Sequence, residues 1–484
     1  MGNEPLAVRL AGTAAATSIA DMPGDVVAIT KQLVLDQLGL QLRGATLPNV
    51  APVARLVVAA GGTPESTVVG TGTRTSAPYA AYANGTFGHA CQYDDSHQLA
   101  WHPGSCVVPT VLALAERERR TGADAITAVI AGTQVMAVLG AAATPAMQRL
   151  GWHGAKVLGV FGAAVGAGLM LGLTVDQLAQ AIAIAASDSA GTMEYDHGGG
   201  EVKRLHAGSA ARAGCEAAML AREGMTAPLT ALEGHKGVLT LIGRLDATEA
   251  LAAVDAAYAR FHVLDLIFRF HPTVGTVHAP LDGIASLRRE HGFDWPDVEN
   301  ISVGLTEYAK AHGGTITRPH DVLSAQYSLA FSVGLLLTRG QDRPQDYFDG
   351  SLWSDPDILA VADRVQVYAT SFPDEFPMLS ARVDVRLRDG REFATVQRGF
   401  RGHPANPATA EEIDAKFRAN LEGLRSGDEI AEILALTRSL DEVRDLGYLT
   451  RLLAAPRAAP DQRAGRVRPA AAGQPAMLRP RPDQ

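Results

Sequence analysis

Cysteine is scarce in this sequence, and basic charge is not in excess. Three cysteines occur among 484 residues, and none of them forms a C-x-x-C pair. Their odd number argues against a disulfide framework and fits a reducing compartment. The 43 lysines and arginines are outnumbered by 52 aspartates and glutamates, which gives a formal net charge of -9. Because phosphate binding requires a basic surface, we expect no nucleic-acid partner. The cysteine content and the overall composition predict a cytoplasmic globular protein.

Motifs for nucleotide binding and for serine nucleophiles are also missing. The chain has no G-x-S-x-G, no P-loop and no G-x-G-x-x-G, and the glycines of HGGGE follow no predicted strand. The N-terminus has no basic segment before an apolar run, so we expect no signal peptide. Residues 157–173 are apolar but fall short of the roughly 20 residues that a bilayer needs. We predict a buried helix there and no membrane association.

The first half of the sequence is predicted to be helical. Apolar residues recur at helical spacing, for example in 107–143, where Thr121 marks the division between two helices. Gly172 can end the following apolar helix, and Thr174 with Gln177 has the spacing of a capping box. No β-α-β rhythm occurs here, which argues against a nucleotide-binding sheet.

The pattern changes near residue 265. Alternating, β-branched residues predict strands within 298–309 and 364–372, and a hairpin over 381–399 that turns at Asp389-Gly390. Residues 321–340 are predicted to form one helix. The predicted fold is therefore mainly α, with a large all-helical domain and a smaller α+β lid domain. The predicted boundaries are 1–264 for the first part of the helical domain, 265–404 for the lid, 405–454 for a return segment of the helical domain and 455–484 for a disordered tail.

Four polar segments interrupt this apolar sequence. They are residues 88–105, 149–159, 194–214 and 268–283. Two of them place His153, Lys203 and His206 just before predicted apolar helices, whose N-termini attract anions such as carboxylates. Scaffold roles are the alternative, since Asp94 and Asp95 could cap a helix and Lys203 could be solvated. The spacing of the acidic residues and histidines matches no zinc pattern, so we predict no metal.

Four longer motifs resemble the MmgE/PrpD family. They are YANGTFGHACQYDDS…HPGSCVVPTVLALAE, RLGWHGAKVLGVFGAAVGAGLMLGL, VKRLHAGSAARAG and GHPANPATAEEIDAKF, in this order along nearly the whole chain except the tail. The family includes 2-methylcitrate dehydratase, cis-aconitate decarboxylase and an iminodisuccinate epimerase. The resemblance implies a large helical domain, a smaller α+β lid, a homodimer and a cofactor-free active site between the two domains.

The resemblance also assigns site residues, one position at a time. Catalytic roles fall on His102, His153, Lys203 and Gln92. Three positions depart from the family pattern: Gln92 replaces the first aspartate of the acidic motif, Arg269 replaces a lysine, and Phe331 stands where the family has a tyrosine on a lid helix. Substrate contacts are predicted for Asp94, Asp95, Ser96, His206, Arg269, His271, His278 and Phe331.

The predicted activity is that of a cofactor-independent lyase, with a dehydratase-type elimination on a small carboxylated substrate. Such chemistry needs a base of near-neutral pKa and cations that spread the negative charge developing beside a carboxylate. We expect His102 to transfer the proton with His153 as its partner, and Lys203 and Arg269 to bind carboxylates. Two alternatives stay open. One is an isomerase that removes and returns a proton, and the other is a re-purposed biosynthetic cyclase or binding scaffold.

Overall fold

The computed structural model describes residues 4–454, and helices dominate the part before residue 265. Two strands of two residues each, β1 (Ser66–Thr67) and β2 (Arg74–Thr75), pair antiparallel and depart from the all-helical prediction for this part. The helices are α1 (Leu6–Ala15), α2 (Gly24–Gly44), α3 (Ala51–Ala60), α4 (Ala77–Ala90), α5 (Pro103–Glu118), α6 (Gly122–Arg149), α7 (Gly154–Val157), α8 (Gly159–Leu171), α9 (Val175–Ala185), α10 (Tyr195–Gly198), α11 (Leu205–Arg222), α12 (Val238–Leu241) and α13 (Ala247–Ala257).

Local sequence signals set several helix ends, as predicted. Thr121 caps α6 in a reciprocal capping box with Asp124, so the division between α5 and α6 is confirmed. Gly172 ends α8 with a positive φ of 69°, a conformation that favours glycine. Thr174 and Gln177 then form the predicted capping box of α9. Capping residues of this kind determine where one helix ends and the next begins.

Two apolar stretches are long enough to cross a membrane but lie in the protein core. They are α6 and the span from α7 through α8, with 83% and 89% of their most apolar windows buried. Glycines let them pack closely: a Cβ added at Gly132 of α6 would lie 2.7 Å from the carbonyl oxygen of Gly162 in α8. The predicted buried helix at 157–173 is therefore found, divided near Leu158. The predicted cytoplasmic location stays a prediction.

The lid contains a four-stranded sheet covered by helices. The sheet order is β4-β3-β5-β6, with β3 parallel to β4 and antiparallel to β5. Strand β5 alternates strictly, so that Val383 and Val385 pack under α14 while Arg382 and Asp384 face outward. The elements are β3 (Val298–Leu305), β4 (Val365–Ala369), β5 (Ala381–Leu387), β6 (Glu392–Gln397), α14 (Gly275–His291), α15 (Glu307–Gly313), α16 (Val322–Gln326), α17 (Leu329–Arg339), α18 (Pro344–Phe348) and α19 (Pro356–Ala362).

The single helix predicted for residues 321–340 is wrong, because the structure divides it into α16 and α17. Ser328 adopts an extended conformation and accepts a hydrogen bond from the Phe331 amide, which starts a second helix. Tyr327 lies in the break between the two helices. This break is what points Tyr327 toward the candidate site described below.

The C-terminal segment returns to the helical part, as α20 (Ala410–Leu421), α21 (Gly427–Arg438) and α22 (Gly447–Leu452). Phe417 of α20 belongs to the same buried cluster as the core of α2, whereas the lid has a separate cluster. Lys416 of α20 forms a buried ion pair with Asp36 of α2 at 2.7 Å. The exact domain boundaries stay predictions, and the predicted disordered tail at 455–484 lies outside the described residues.

Candidate active site

Three helix starts meet in a buried space of the helical part. His102 is the N-cap residue of α5, and His153 is the N-cap residue of α7. Lys203 lies in a 3-10 turn, Val202–Arg204, that leads directly into α11. All three residues are at most 5% exposed. The structure thus brings together residues that are about 50 positions apart in the sequence, and it does so by converging the ends of packed helices.

The acidic motif lies beneath His102 and orients it. The His102 Nδ1 atom is 2.7 Å from the carbonyl oxygen of Asp95 and 3.2 Å from Asp94 Oδ2. Asp94 also accepts a hydrogen bond from the Ser105 hydroxyl at 2.7 Å and contacts the ring of His89 at 2.8 Å. Burial alone would raise the pKa of Asp94, but the two neighbouring imidazoles lower it well below its usual range. Asp94 is therefore an ionised carboxylate that holds two histidines.

Asp95 receives hydrogen bonds from the protein at both of its carboxylate oxygens. Its two carboxylate oxygens accept hydrogen bonds from Gln37 Nε2 and from the amide of Gly104, both at 3.0 Å. Only glycine allows this approach, since a Cβ at Gly104 would collide with the carboxylate. Burial and the nearby charge of Asp94 raise the pKa of Asp95 to about 8. The structure therefore gives Asp95 contacts that position the loop between α4 and α5.

His153 forms a second pair of imidazoles with His206 of α11. Their Nδ1 atoms lie 2.8 Å apart, so one ring donates a hydrogen to the other. Burial lowers the pKa of His153 well below its ordinary value and that of His206 to about 4. Both rings are consequently neutral at physiological pH. The rings of Trp101 and Tyr195 pack edge-on against His153 at 5.3 and 5.6 Å between centroids.

We call His89, His102, His153 and His206 with Asp94 and Asp95 the histidine side of the site. Opposite lies the cation side, formed by Lys203, Arg204 and Arg269 with Gln92, Gln326 and Tyr327. On this side the Lys203 ammonium donates to Gln92 Oε1 at 2.7 Å and to the Tyr327 hydroxyl at 3.0 Å. Arg204 donates to the same Gln92 oxygen at 3.3 Å and to Gln326 at 2.6 Å.

The partner of Lys203 is thus neutral, although a carboxylate is the more usual partner of a buried ammonium group. Burial, followed by the charges of Arg204 and Arg269, lowers the pKa of Lys203 to about 7. Gln92 is held for this contact in a left-handed backbone conformation, with φ 57°, which is uncommon for a residue other than glycine. Lys203 can therefore gain or lose a proton near neutral pH.

Arg269 has the least satisfied side chain of the cation side. It is 7% exposed, and its Nε and Nη1 atoms are buried without a hydrogen-bond partner. Burial lowers its pKa from the ordinary value, and the charges of Asp94 and Asp95 oppose this effect without forming an ion pair with it. An unpaired buried guanidinium is costly for folding, so its two free N–H groups indicate a binding position for an anion.

The remaining predicted residues lie elsewhere. Ser96 is half-buried and pairs through its backbone with Ile267, which joins the acidic loop to the start of the lid. His271 lies between the carboxylates of Asp342 and Asp282, which raise its pKa to about 10 against the opposing effect of burial. His278 is buried against Phe400 with its ring centroid 5.5 Å from that of His271, and burial, followed by the charges of His271 and Arg269, lowers the pKa of His278. Phe331 packs against Tyr347 in a small separate core.

Three contributors to the cation side were not predicted from the sequence. Tyr327 and Gln326 fall at the end of α16, inside a segment that reads as one continuous helix. Arg204 follows Lys203, and two adjacent basic residues are typical of a solvated surface, yet Arg204 is 2% exposed. A usable signal was the polar pair Gln326-Tyr327 within an otherwise apolar run, since polar groups in such runs are rarely buried without a partner.

A surface cavity leads toward this site. It has a volume of about 280 Å³ and is lined by the glycines after α10 and by α16 of the lid. Tyr195 and Tyr327 form its inner end, and both rings also flank the Lys203 ammonium, at 5.7 and 5.3 Å from their centroids. The two tyrosines therefore separate the outer cavity from the buried polar groups.

Comparison with known proteins places these features in context. Residues 8–249 match the model of the MmgE/PrpD N-terminal domain, and residues 271–442 match that of the MmgE/PrpD C-terminal domain. Human cis-aconitate decarboxylase is 27% identical over 452 residues, which cover 89% of this chain and 91% of that protein. Cis-aconitate decarboxylase of Aspergillus terreus is 28% identical over 460 residues, covering 90% and 93%. The cis-aconitate decarboxylase-like protein oryM of Aspergillus oryzae is 26% identical over 458 residues, covering 90% and 94%. These relatives support the prediction of an enzyme of the lyase type.

Proposed function

The chain belongs to the MmgE/PrpD family, as its motifs predicted, and we propose that it is a cofactor-independent lyase acting on a small carboxylated substrate. The reaction we propose removes a proton from a carbon next to a carboxylate and expels a leaving group from the neighbouring carbon. Its intermediate carries negative charge on the carboxylate. The two sides of the site suit the two halves of this task.

The observation that carries the proposal is the excess of buried positive charge on the cation side. Arg269 offers two unpartnered N–H groups, and Lys203 is bonded to a neutral amide and a hydroxyl. An anion between them would satisfy both side chains, and it would be stabilised further as carbanion character develops. A planar carboxylate matches the fork of a guanidinium. An apolar or cationic substrate would leave these groups unpaired.

Proton transfer is assigned to the histidine side. His102 is our candidate base, because its Nδ1 atom is held by the Asp95 carbonyl and Asp94, which leaves Nε2 for the substrate. His153 is neutral and paired with His206, so it is suited to accept a proton or to donate a hydrogen bond. Lys203, with its pKa of about 7, is the better candidate for the acid that protonates a leaving hydroxyl. We therefore propose His102 and His153 as the proton-transfer pair, as predicted from the sequence, and Lys203 as an additional acid.

The test is a screen of small di- and tricarboxylates with enzyme that has been treated with a chelator. Turnover is followed by proton NMR in D₂O, which reports both alkene formation and exchange of the hydrogen next to the carboxylate. We expect at least one substrate to lose its leaving group with a rate that falls sharply in His102→Gln. Absence of turnover on every carboxylate would favour a binding scaffold and overturn the proposal.

An isomerase is the second candidate, and Gln92 is the observation that favours it. If a carboxylate at this position assists the departure of a leaving group, an amide cannot replace it, whereas removal and return of a proton would need no such assistance. In the same NMR experiment an isomerase would exchange the substrate hydrogen for deuterium without forming an alkene.

We also propose that the protein acts as a homodimer, on the basis of its family membership. The two long apolar stretches, α6 and α7 through α8, are mostly buried within one chain and give no independent support for an interface. Light scattering at micromolar concentration tests it. A mass of about 100 kDa is expected from two chains of 50.8 kDa, and a mass near 51 kDa would contradict it.

A further inference from the structure

Three buried imidazoles on the histidine side converge on one point. His89 comes from the last turn of α4, and His102 and His153 are the N-cap residues of α5 and α7. One ring nitrogen of each lies within 4.8 Å of the other two. The ring centroids are 4.7, 6.0 and 6.1 Å apart, so no ring stacks on another and the three surround a common space.

Each ring is oriented through its Nδ1 atom by a different partner. His89 Nδ1 contacts Asp94 at 2.8 Å, His102 Nδ1 contacts the Asp95 carbonyl at 2.7 Å, and His153 Nδ1 contacts His206 at 2.8 Å. The Nε2 atom of His89, which is fully buried, has no partner at all. Carboxylates and carbonyls that hold one imidazole nitrogen, and so present the other, are the usual surroundings of a histidine that binds a metal.

Although the residue spacing predicts no metal, this geometry differs from that expectation, and we propose that His89, His102 and His153 bind a divalent transition metal such as Zn²⁺ or Co²⁺, and that the bound ion inhibits the enzyme. Imidazole nitrogens prefer such ions over Mg²⁺ or Ca²⁺. Metal–nitrogen bonds of about 2.0–2.1 Å place tetrahedral ligand atoms roughly 3.3 Å apart, so the rings would close by small rotations. The inhibition, unlike the binding, rests on the proposed function, because the ion would occupy nitrogens that His102 and His153 need for proton transfer.

The charge state of the cluster is compatible with a metal. Asp94 supplies a negative charge next to two of the rings. Lys203 and Arg269 oppose a dication from the other side of the site. We therefore expect weaker binding than in a closed structural zinc site.

A second group of potential ligands, His97, His262 and Asp265, serves as the internal comparison. Three of its four imidazole nitrogens are already in use, and the fourth, His262 Nδ1, lies 3.3 Å from Asp265 Oδ2. His97 Nδ1 accepts hydrogen bonds from two backbone amides, and His97 Nε2 contacts the carbonyl of His262. His262 Nε2 contacts the carbonyl of Ala257. This group pins a loop, and we expect it to bind no metal.

The binding test uses full-length protein freed of metal by a chelator and then titrated with Co²⁺, whose visible absorption reports a four-coordinate nitrogen site. We expect one equivalent to bind to the wild type and to His97→Gln, and affinity to fall about tenfold or more in His89→Gln. Mg²⁺ should not compete. Nitrogen counting by electron paramagnetic resonance of Cu²⁺-loaded wild type keeps the test valid if His89→Gln fails to fold, and three imidazoles are expected. No binding, or a signal lost in His97→Gln and kept in His89→Gln, would overturn the proposed site.

The inhibition test adds Zn²⁺ to the metal-free enzyme with any carboxylate that it turns over. Inhibition over the concentration range of binding, reversed by chelator, is expected. Metal binding without turnover on any substrate would contradict the proposed function but leave the site standing. Turnover of a carboxylate without metal binding would support the proposed function and contradict the metal site. Turnover that requires the metal would overturn both the inhibitory role and the proposed independence of cofactors.

Discussion

The histidine side and the cation side of the site are stabilised in different ways. On the histidine side, carboxylates and carbonyls hold the imidazoles, as Asp94 and the Asp95 carbonyl hold His102. On the cation side, Lys203 faces the amide of Gln92, and Arg269 keeps two buried N–H groups without a partner. On the first side, protein groups orient the imidazoles, although His89 Nε2 and Asp94 Oδ1 have no hydrogen-bond partner, whereas the second side keeps buried positive charge that an anion would pair. Two of the three departures from the family pattern, Gln92 and Arg269, lie on the cation side. We infer that proton transfer is retained and that the choice of substrate has changed.

The largest effect is expected on the histidine side. His102→Gln should reduce kcat by about 10²–10⁴, because general acid–base assistance is typically worth that much. The measurement is turnover of a substrate found in the carboxylate screen, with circular dichroism to verify folding. His403→Gln, a half-buried histidine of the lid, is the matched control and should retain turnover. Equal activity of the two variants would remove His102 from the chemistry.

On the cation side, stability and binding should change in opposite directions. Arg269→Met removes unpaired buried donors, so the free energy of unfolding should rise by about 1–3 kcal/mol while affinity for dicarboxylates falls about 10–100-fold. Arg204→Met is the control, and it should lower the free energy of unfolding. Its guanidinium donates hydrogen bonds to Gln92, Gln326 and Glu201, which the variant would lose. Denaturant unfolding and calorimetric titration measure both quantities. Destabilisation by Arg269→Met would show that its charge is satisfied in the folded protein.

The pH dependence of the cation side should follow Lys203. Its folded-state pKa of about 7 lies below the ordinary value of 10.5, so the unfolded chain binds more protons between these limits. The contribution of Lys203 to stability therefore rises with pH from about 7 to 10.5. Binding of an anion should weaken over the same rise, as the ammonium loses its charge. Asp94 and Asp196 act on Lys203 in the opposite sense to Arg204 and Arg269, which lower its pKa.

Gln92→Asp sharpens this test, because a carboxylate next to Lys203 should raise its pKa. Calorimetric titration of a dicarboxylate between about pH 6 and 9, a range that brackets the Lys203 pKa of about 7, should show the loss of affinity move to higher pH in the variant. An unchanged profile would assign the titration to another group.

The smallest effect is expected outside the described residues. The segment 455–484 contains almost no large apolar residues, so the sequence predicts that its removal leaves folding and activity nearly unchanged. Thermal unfolding of the chain ending at Ala454 measures this. A fall of several degrees in Tm would show that the segment packs against the folded part of the chain.

The sequence predicted members of both sides but neither side in full, since His89 of the histidine side was not among the predicted site residues. His102, His153 and Lys203 precede helices whose caps and apolar spacing can be read locally, and the family motifs carry the same positions. Tyr327 was missed because the break before α17 depends on a single serine cap within an apolar run. Arg204 was missed because its burial results from packing between the helical part and α16, which no local pattern records. The family resemblance assigns Phe331 to the site, because it aligns with a tyrosine of a lid helix, although Phe331 lies in a core of its own.

The most direct test of a retained reaction with a changed substrate is the turnover of cis-aconitate and of 2-methylcitrate by three proteins. These are the wild type, Gln92→Asp, and Gln92→Asp combined with Arg269→Lys. Aspartate also tolerates the left-handed conformation at position 92 better than most residues. We predict marginal turnover by the wild type and a large gain in the double variant. Wild-type turnover at an ordinary enzymatic rate of about 10 s⁻¹, with no gain in either variant, would contradict the account.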